Sequence, residues 1–133
     1  MYYLGIDLHK FKSYVTALNE AGQEIFKGEM YNKRTNFEEL FKRLNGPCKG
    51  VIETTYNWEK MYDVLSEIGI DMQVAHAYKL RVIAESQIKN DKRDSLMLAK
   101  LLKADMIPAI YIPSKAIRLI RNVIRERVYL VSK

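Results

Sequence analysis

The chain has 133 residues, of which 48% are hydrophobic and 29% charged, and it carries 22 Lys and Arg against 16 Asp and Glu. This composition predicts one folded domain and excludes a disordered chain, while the single cysteine excludes a disulfide framework and any zinc site of several cysteines. No apolar run could cross a bilayer and no signal-peptide core opens the chain, so we expect a cytoplasmic protein with no membrane partner.

The first part of the chain has the alternating pattern of β-strands. Residues 2–8, 13–18 and 23–31 are predicted as three strands, because apolar side chains occur there at every second position. The turn-forming sequence at residues 19–22 joins the second strand tightly to the third, so this pair should be antiparallel. We expect the first strand to join them in a three-stranded meander.

After residue 31, the spacing of apolar residues changes from every second position to the three- and four-residue spacing of a helix. Thr35 and Glu38 have the spacing of a capping box, and apolar side chains at helical spacing predict a helix that runs to Leu44. Residues 50–54 and 70–75 are predicted as short apolar strands that flank a helix with its apolar stripe from Trp58 to Ile68. A strand, helix, strand sequence is a crossover unit, which predicts that these two strands are parallel.

The remainder is predicted to be mostly helical. A short helix around residues 80–84 and a stronger one over residues 91–103 precede an extended, proline-bounded connector at residues 107–113. A long helix then runs to Ser132. The element order predicts an α/β fold with a mixed five-stranded sheet, the order of the ribonuclease H-like (RuvC-like) fold, which actin-like kinases share.

Four carboxylates stand out on these elements. Asp7 interrupts an apolar strand, and Glu53 lies at the carboxyl end of another. Asp91 and Asp94 are three residues apart, so on a helix they share a face, although acids are also common in a first helical turn. If the four converge, their oxygens suit a hard cation such as Mg²⁺ or Mn²⁺, which serves phosphodiester chemistry.

Three stretches of the chain resemble the DEDD transposases of insertion sequences, which are related to the Piv DNA invertases. They are residues 5–10, 51–56 and 88–99, and the similarity continues through the rest of the chain. The resemblance implies that Asp7, Glu53, Asp91 and Asp94 are the catalytic residues and hold Mg²⁺. It also implies DNA strand cleavage and joining, with a structured guide RNA in some members.

Members of this family carry a second, C-terminal domain with a serine nucleophile, whereas this sequence stops at Lys133. We therefore expect residues 1–113 to be the RuvC-like domain and residues 114–133 to begin an Arg-rich helix for dimerisation or linkage. Alone, such a chain should bind metal and nucleic acid without completing recombination. Ser95 and Thr55 stand where the family usually has alanine and glycine.

The positive charge is concentrated at the C-terminus. Residues 115–133 hold six basic residues against Glu126 alone, the pattern of a segment that meets a polyanion. The basic side chains near the acids and on this helix are therefore predicted to bind nucleic acid: Lys10, Lys12, Lys89, Lys92, Arg93, Arg118, Arg121 and Arg125.

An apolar stripe runs along the same terminal helix. Its members are spaced three or four residues apart, which predicts a homodimer through this helix: Ile117, Ile120, Ile124, Val128 and Val131. Packing of the helix on its own domain is the alternative.

Two other functions fit parts of the sequence. A non-catalytic remnant that binds DNA or dimerises would keep the basic helix without the chemistry. A sugar or acetate kinase-like domain also opens with Gly-Ile-Asp, but it needs a glycine-rich phosphate loop after that aspartate, and residues 8–12 contain no glycine. ATP binding would identify the kinase, and metal binding lost on Asp7→Asn would identify the recombinase.

Overall fold

The computed structural model describes residues 1–55, 57–87 and 95–132. Within them the chain forms one five-stranded sheet with helices on both faces. In chain order the elements are β1 Tyr2–Leu8, β2 Lys12–Leu18, β3 Glu24–Tyr31, α1 Arg34–Leu44, β4 Cys48–Glu53, α2 Trp58–Ile68, β5 Asp71–Ala75, α3 Ala77–Gln87, α4 Ser95–Lys103 and α5 Lys115–Ser132.

The strands lie in the order β3-β2-β1-β4-β5. The β1–β2 and β2–β3 pairs are antiparallel, whereas β1–β4 and β4–β5 are parallel. This topology confirms the predicted meander and the predicted crossover unit. It also makes β1 and β4 neighbours, so the carboxyl ends of two apolar strands meet at the same edge of the sheet.

The sheet separates two apolar layers. On one face, alternate residues of β1 such as Leu4 and Ile6 pack against α1 and α2, whose Phe37 and Leu65 are fully buried. On the other face, Val51 of β4 packs with Leu98 and its neighbours from α4. The result is a three-layer α/β/α domain, in which the side chains of each strand alternate between the two layers.

The start of α1 differs from the prediction. The Thr35–Glu38 capping box does not form: α1 begins at Arg34, its N-cap residue is Lys33, and no side chain caps it. Glu38 instead accepts a hydrogen bond from Arg34 Nε at 2.9 Å. The predicted helix over residues 91–103 is described only from Ser95 onward.

The connector after α4 has a structural role that its sequence did not predict. It runs antiparallel to β5, with an isolated bridge between Ala75 and Ala109. The Ile110 N–H donates to the Val74 carbonyl at 2.9 Å, and the His76 N–H donates to the Pro108 carbonyl at 3.0 Å. The connector therefore satisfies backbone groups that β5 would otherwise leave open at the edge of the sheet.

Three further residues have distinct local environments. Gly69 ends α2 in the left-handed conformation, with φ 118°. His76 is a hydrogen-bonded strand-end residue whose Nδ1 accepts from the Lys79 N–H at 3.3 Å. Cys48 is a buried free thiol, and burial raises its pKa. No helix among the described residues is long and apolar enough to span a membrane.

Candidate metal and nucleic-acid site

Asp7 lies near the end of β1 on the face of the sheet that α4 covers. Leu4 and Ile6 point into the opposite layer, and a Cβ on Gly5 would point at α4, so alternation puts Asp7 on the α4 side. Its side chain is one-third exposed, at 33%. A carboxylate in this position is anchored by a buried strand and still reaches solvent.

Glu53 occupies the matching position on β4. The parallel register pairs Tyr2 with Cys48 and Gly5 with Val51. The recorded pairing ends there, and the same offset of 46 residues extended by two would bring Glu53 level with Asp7. Val51 packs in the α4 layer, so Glu53 shares that face, and its Oε1 atom is buried from solvent.

The start of α4 lies directly beside this pair. The Thr16 and Ser95 hydroxyls are hydrogen-bonded at 2.7 Å in the buried layer between β2 and α4. A Cβ on Gly5 would lie 2.0 Å from the Ser95 carbonyl oxygen, so the absence of a side chain at Gly5 lets the helix backbone rest on β1. Sequence reasoning missed this contact, although a glycine inside a strand is a known sign of close backbone approach.

The other two predicted acids cannot be placed. Asp91 and Asp94 lie outside the described residues, as do the predicted nucleic-acid ligands Lys89, Lys92 and Arg93. Among the described residues, no group of three or more His, Cys, Asp or Glu side chains is arranged to hold a metal ion. Of the four predicted acids, Asp7 and Glu53 lie in the described part of the chain, and carboxylate oxygens are donors that suit a hard divalent cation.

A hairpin turn carries basic residues past Asp7. The His9 Nε2 atom lies 3.1 Å from Asp7 Oδ2, and Lys10 follows it in the exposed turn between β1 and β2. Lys12 lies at the start of β2, 3.2 Å from Glu29, and this carboxylate raises the pKa of Lys12. Of the two predicted lysines, Lys12 is thus already paired, while Lys10 Nζ lies over the Phe11 ring at 5.3 Å.

Arg118 requires a correction. The Arg-rich pattern of the terminal helix predicts that Arg118 binds phosphate, but Arg118 is only 8% exposed and faces the domain. Its Nη2 atom donates to Asp63 Oδ1 at 2.7 Å, its Nε atom donates to the Pro113 carbonyl at 3.1 Å, and its guanidinium lies over the Tyr62 ring. Asp63 first, and then Glu59, raise the pKa of Arg118, so this residue holds α5 on α2.

Arg121 and Arg125, by contrast, are exposed along α5. They border a groove of about 260 Å³ between α5, the connector and the start of α2. The predicted apolar stripe is also exposed, with Ile120 at 59% and Ile124 at 55%. Of the side chains that the structure describes on α5, only that of Arg118 is buried.

A family model of transposases of the DEDD type, named for the insertion sequence IS110, matches residues 4–133. A comparison with curated proteins finds no match. The matched range contains most of β1 and the whole of the other four strands, so the sheet order and the match together confirm the predicted ribonuclease H-like fold. The chain therefore belongs to the DEDD transposase family.

Proposed function

We propose that this chain is the metal-binding catalytic part of a DNA transposase. Asp7 and Glu53, with Asp91 and Asp94, would hold Mg²⁺ or Mn²⁺, which supplies Lewis-acid activation for cleavage and joining of DNA strands. The observation that carries the proposal is the position of Asp7 and Glu53 on one face, at the carboxyl ends of adjacent parallel strands. Ligands of α/β sheets bind at this edge.

The beginning of α4 supports the same arrangement. Ser95, its first residue, is fixed to β2 through Thr16 and rests on Gly5, two residues before Asp7. Asp94 directly precedes Ser95 in the sequence, and we assign it to the same site.

The proposal is tested by Mn²⁺ titration calorimetry on the wild-type protein and Asp7→Asn, with circular dichroism to confirm that both are folded. We expect saturable binding that Asp7→Asn weakens at least about tenfold, because even outer-shell partners of a metal ligand change affinity by about that factor. Asp71→Asn is the matched control, since Asp71 is an exposed acid at the amino end of β5.

Unchanged affinity in Asp7→Asn, or an equal loss in Asp71→Asn, would refute the metal site. A non-catalytic DNA-binding or dimerising remnant would then describe the protein better. The family match makes DNA the expected substrate, and a structured guide RNA would be an additional partner.

We further propose that α5 pairs with α5 of a second copy. Four members of its predicted stripe are between 47% and 59% exposed, and such a stripe at helical spacing is stable only when covered: Ile117, Ile120, Ile124 and Val128. We expect light scattering to give about twice the 15.6 kDa chain mass for the wild type and one chain mass for the double variant Ile120→Glu, Ile124→Glu. Arg127→Gln, on the same helix, should leave the mass unchanged, and a monomeric wild type would contradict the pairing.

A further inference from the structure

A cavity of about 270 Å³ opens at the carboxyl end of β1, on the face of the sheet opposite α4. It lies between the β1–β2 turn, the start of α1 and the first half of α2. Its volume is far above the roughly 10–15 Å³ that one water molecule needs, so a solvated group can enter. The apolar part of its lining comes from β1 and α2. The polar part consists of His9, Lys10, Asn32, Arg34, Asn57 and Lys60.

The charge of this lining is positive. Among the described residues that line the cavity, none is acidic, whereas three are Lys or Arg. Arg34 is partly neutralised, because its Nε atom bonds Glu38 at 2.9 Å and its Nη1 atom bonds Glu67 at 2.8 Å. Lys10 and Lys60 are both exposed and therefore account for most of the charge that an anion would meet.

The turn that forms one wall of the cavity is fixed in place by Asn32. The Asn32 Nδ2 atom donates to the His9 carbonyl at 2.6 Å, and the Asn32 backbone N–H donates to the Phe11 carbonyl at 2.8 Å. The Ser13 hydroxyl donates to Asn32 Oδ1, which holds the amide in this orientation. Lys10 is thus presented from an ordered turn, which lowers the entropic cost of binding an anion there.

The opposite wall offers a second kind of donor. Asn57 precedes α2 in the left-handed conformation, with φ 62°, and its side chain makes no capping hydrogen bond to the helix. An amide group in this position can donate to an oxygen anion in the cavity. Glu59, the acid in the first turn of α2, is directed instead to Arg118, at 3.6 Å from Nη1.

The cavity adjoins the proposed metal site. His9 lines it, and the same imidazole lies 3.1 Å from Asp7 Oδ2. Leu8, also in the lining, is the next residue after Asp7 and points to the opposite face. The cavity and the carboxylates therefore occupy the two sides of one strand end, with His9 between them.

We propose that this cavity binds a backbone phosphate of the DNA strand adjacent to the phosphate held at Asp7. The inference rests on the proposed function, because Asp7 and Glu53 would hold the reacting phosphate through the metal ion. Lys10 and Lys60 supply point charges, and Asn57 supplies a neutral hydrogen-bond donor. A contact of this kind fixes the register of the strand at the carboxylates and carries no base specificity.

The test measures how the affinity for a fluorescein-labelled DNA duplex depends on salt between about 50 and 200 mM, by anisotropy. The plot of log K against log salt has a negative slope, and loss of one phosphate contact should reduce the magnitude of that slope by about 0.9. At 0.1 M salt this change corresponds to an affinity for the duplex that is about eightfold lower. We expect this reduction in slope for Lys60→Gln. The double variant Lys10→Gln, Lys60→Gln should show about twice the reduction.

Lys103→Gln is the matched control. Lys103 ends α4 and lies beside Gly22, in the turn at the opposite end of the sheet, so its removal should leave the slope unchanged. An unchanged slope in folded Lys60→Gln, an equal decrease in Lys103→Gln, or a wild-type protein that does not bind the duplex at low salt would each overturn the inference.

Mn²⁺ titration of the same variants separates this inference from the proposed function. Lys60→Gln should bind Mn²⁺ like the wild type. Lys60 lies on α2, which covers one face of the sheet, whereas the carboxylates lie on the other face. A loss of Mn²⁺ binding in Lys60→Gln would contradict an independent phosphate site. If Asp7→Asn instead left Mn²⁺ binding unchanged while Lys60→Gln weakened DNA binding, the metal proposal would fail and the phosphate cavity would stand.

Discussion

Gly5→Ala is expected to lower the free energy of unfolding by about 3 kcal/mol, the upper end of the range for overpacked cores. The new Cβ would lie 2.0 Å from the Ser95 carbonyl oxygen and 2.5 Å from the Ala99 nitrogen. Both atoms belong to the backbone of α4, so no side-chain rotation can relieve the overlap. The helix must move away from β1, or the strand must bend.

This loss is large for a domain whose total stability is of the order of 5–15 kcal/mol. Urea denaturation followed by circular dichroism measures it directly. Because the start of α4 would move with respect to β1, we also expect weaker Mn²⁺ binding in any fraction that stays folded. The two effects should appear together, since one contact fixes both the core and the candidate site.

Gly28→Ala is the control for the glycine change itself. Gly28 lies in the edge strand β3, where the nearest atom to a new Cβ is Phe26 Cζ at 3.4 Å, an ordinary contact with a flexible side chain. The free energy of unfolding of Gly28→Ala should differ from the wild-type value by no more than about 1 kcal/mol. Equal destabilisation by Gly5→Ala and Gly28→Ala would show that the contact with α4 does not restrict the size of the side chain at position 5.

Arg118→Ala is expected to lower the free energy of unfolding by about 2 kcal/mol and to release α5 from the domain. The substitution removes the guanidinium from Asp63, whose side chain is only 20% exposed, and leaves that carboxylate without its cation. It also removes the bond to the Pro113 carbonyl and the contact with Tyr62. Because Arg118 carries the buried side chain among those described on α5, the effect should be concentrated on this helix.

Hydrogen exchange resolves this local effect. The amides of the first two turns of α5 should exchange faster in Arg118→Ala, while those of β1 and β4 keep their protection. Arg118→Lys should recover only part of the protection, since an ammonium cannot make the paired contacts of a guanidinium. Arg125→Ala removes an exposed arginine from the same helix, and a similar loss of protection there would contradict the role given to Arg118.

The elements themselves could be predicted from the sequence because their signals are local. Alternation of apolar residues marks β1, and helical spacing marks α2 up to its glycine stop at Gly69. Asp7 and Glu53 could be selected for the same reason, since each is an acid in an otherwise apolar strand. The capping box failed as a signal because α1 begins at Arg34, one residue before Thr35, so Thr35 is not the N-cap residue.

Contacts between distant parts of the chain were decided only by the tertiary structure. Arg118 and Asp63 are 55 residues apart, and nothing in the Arg-rich pattern of α5 distinguishes the buried arginine from its exposed neighbours. Likewise, Lys60 and Lys10 come from a helix and a turn that only the fold brings to one cavity. Local periodicity is set by backbone geometry within a few residues, whereas burial, pairing and strand register depend on which segments pack together.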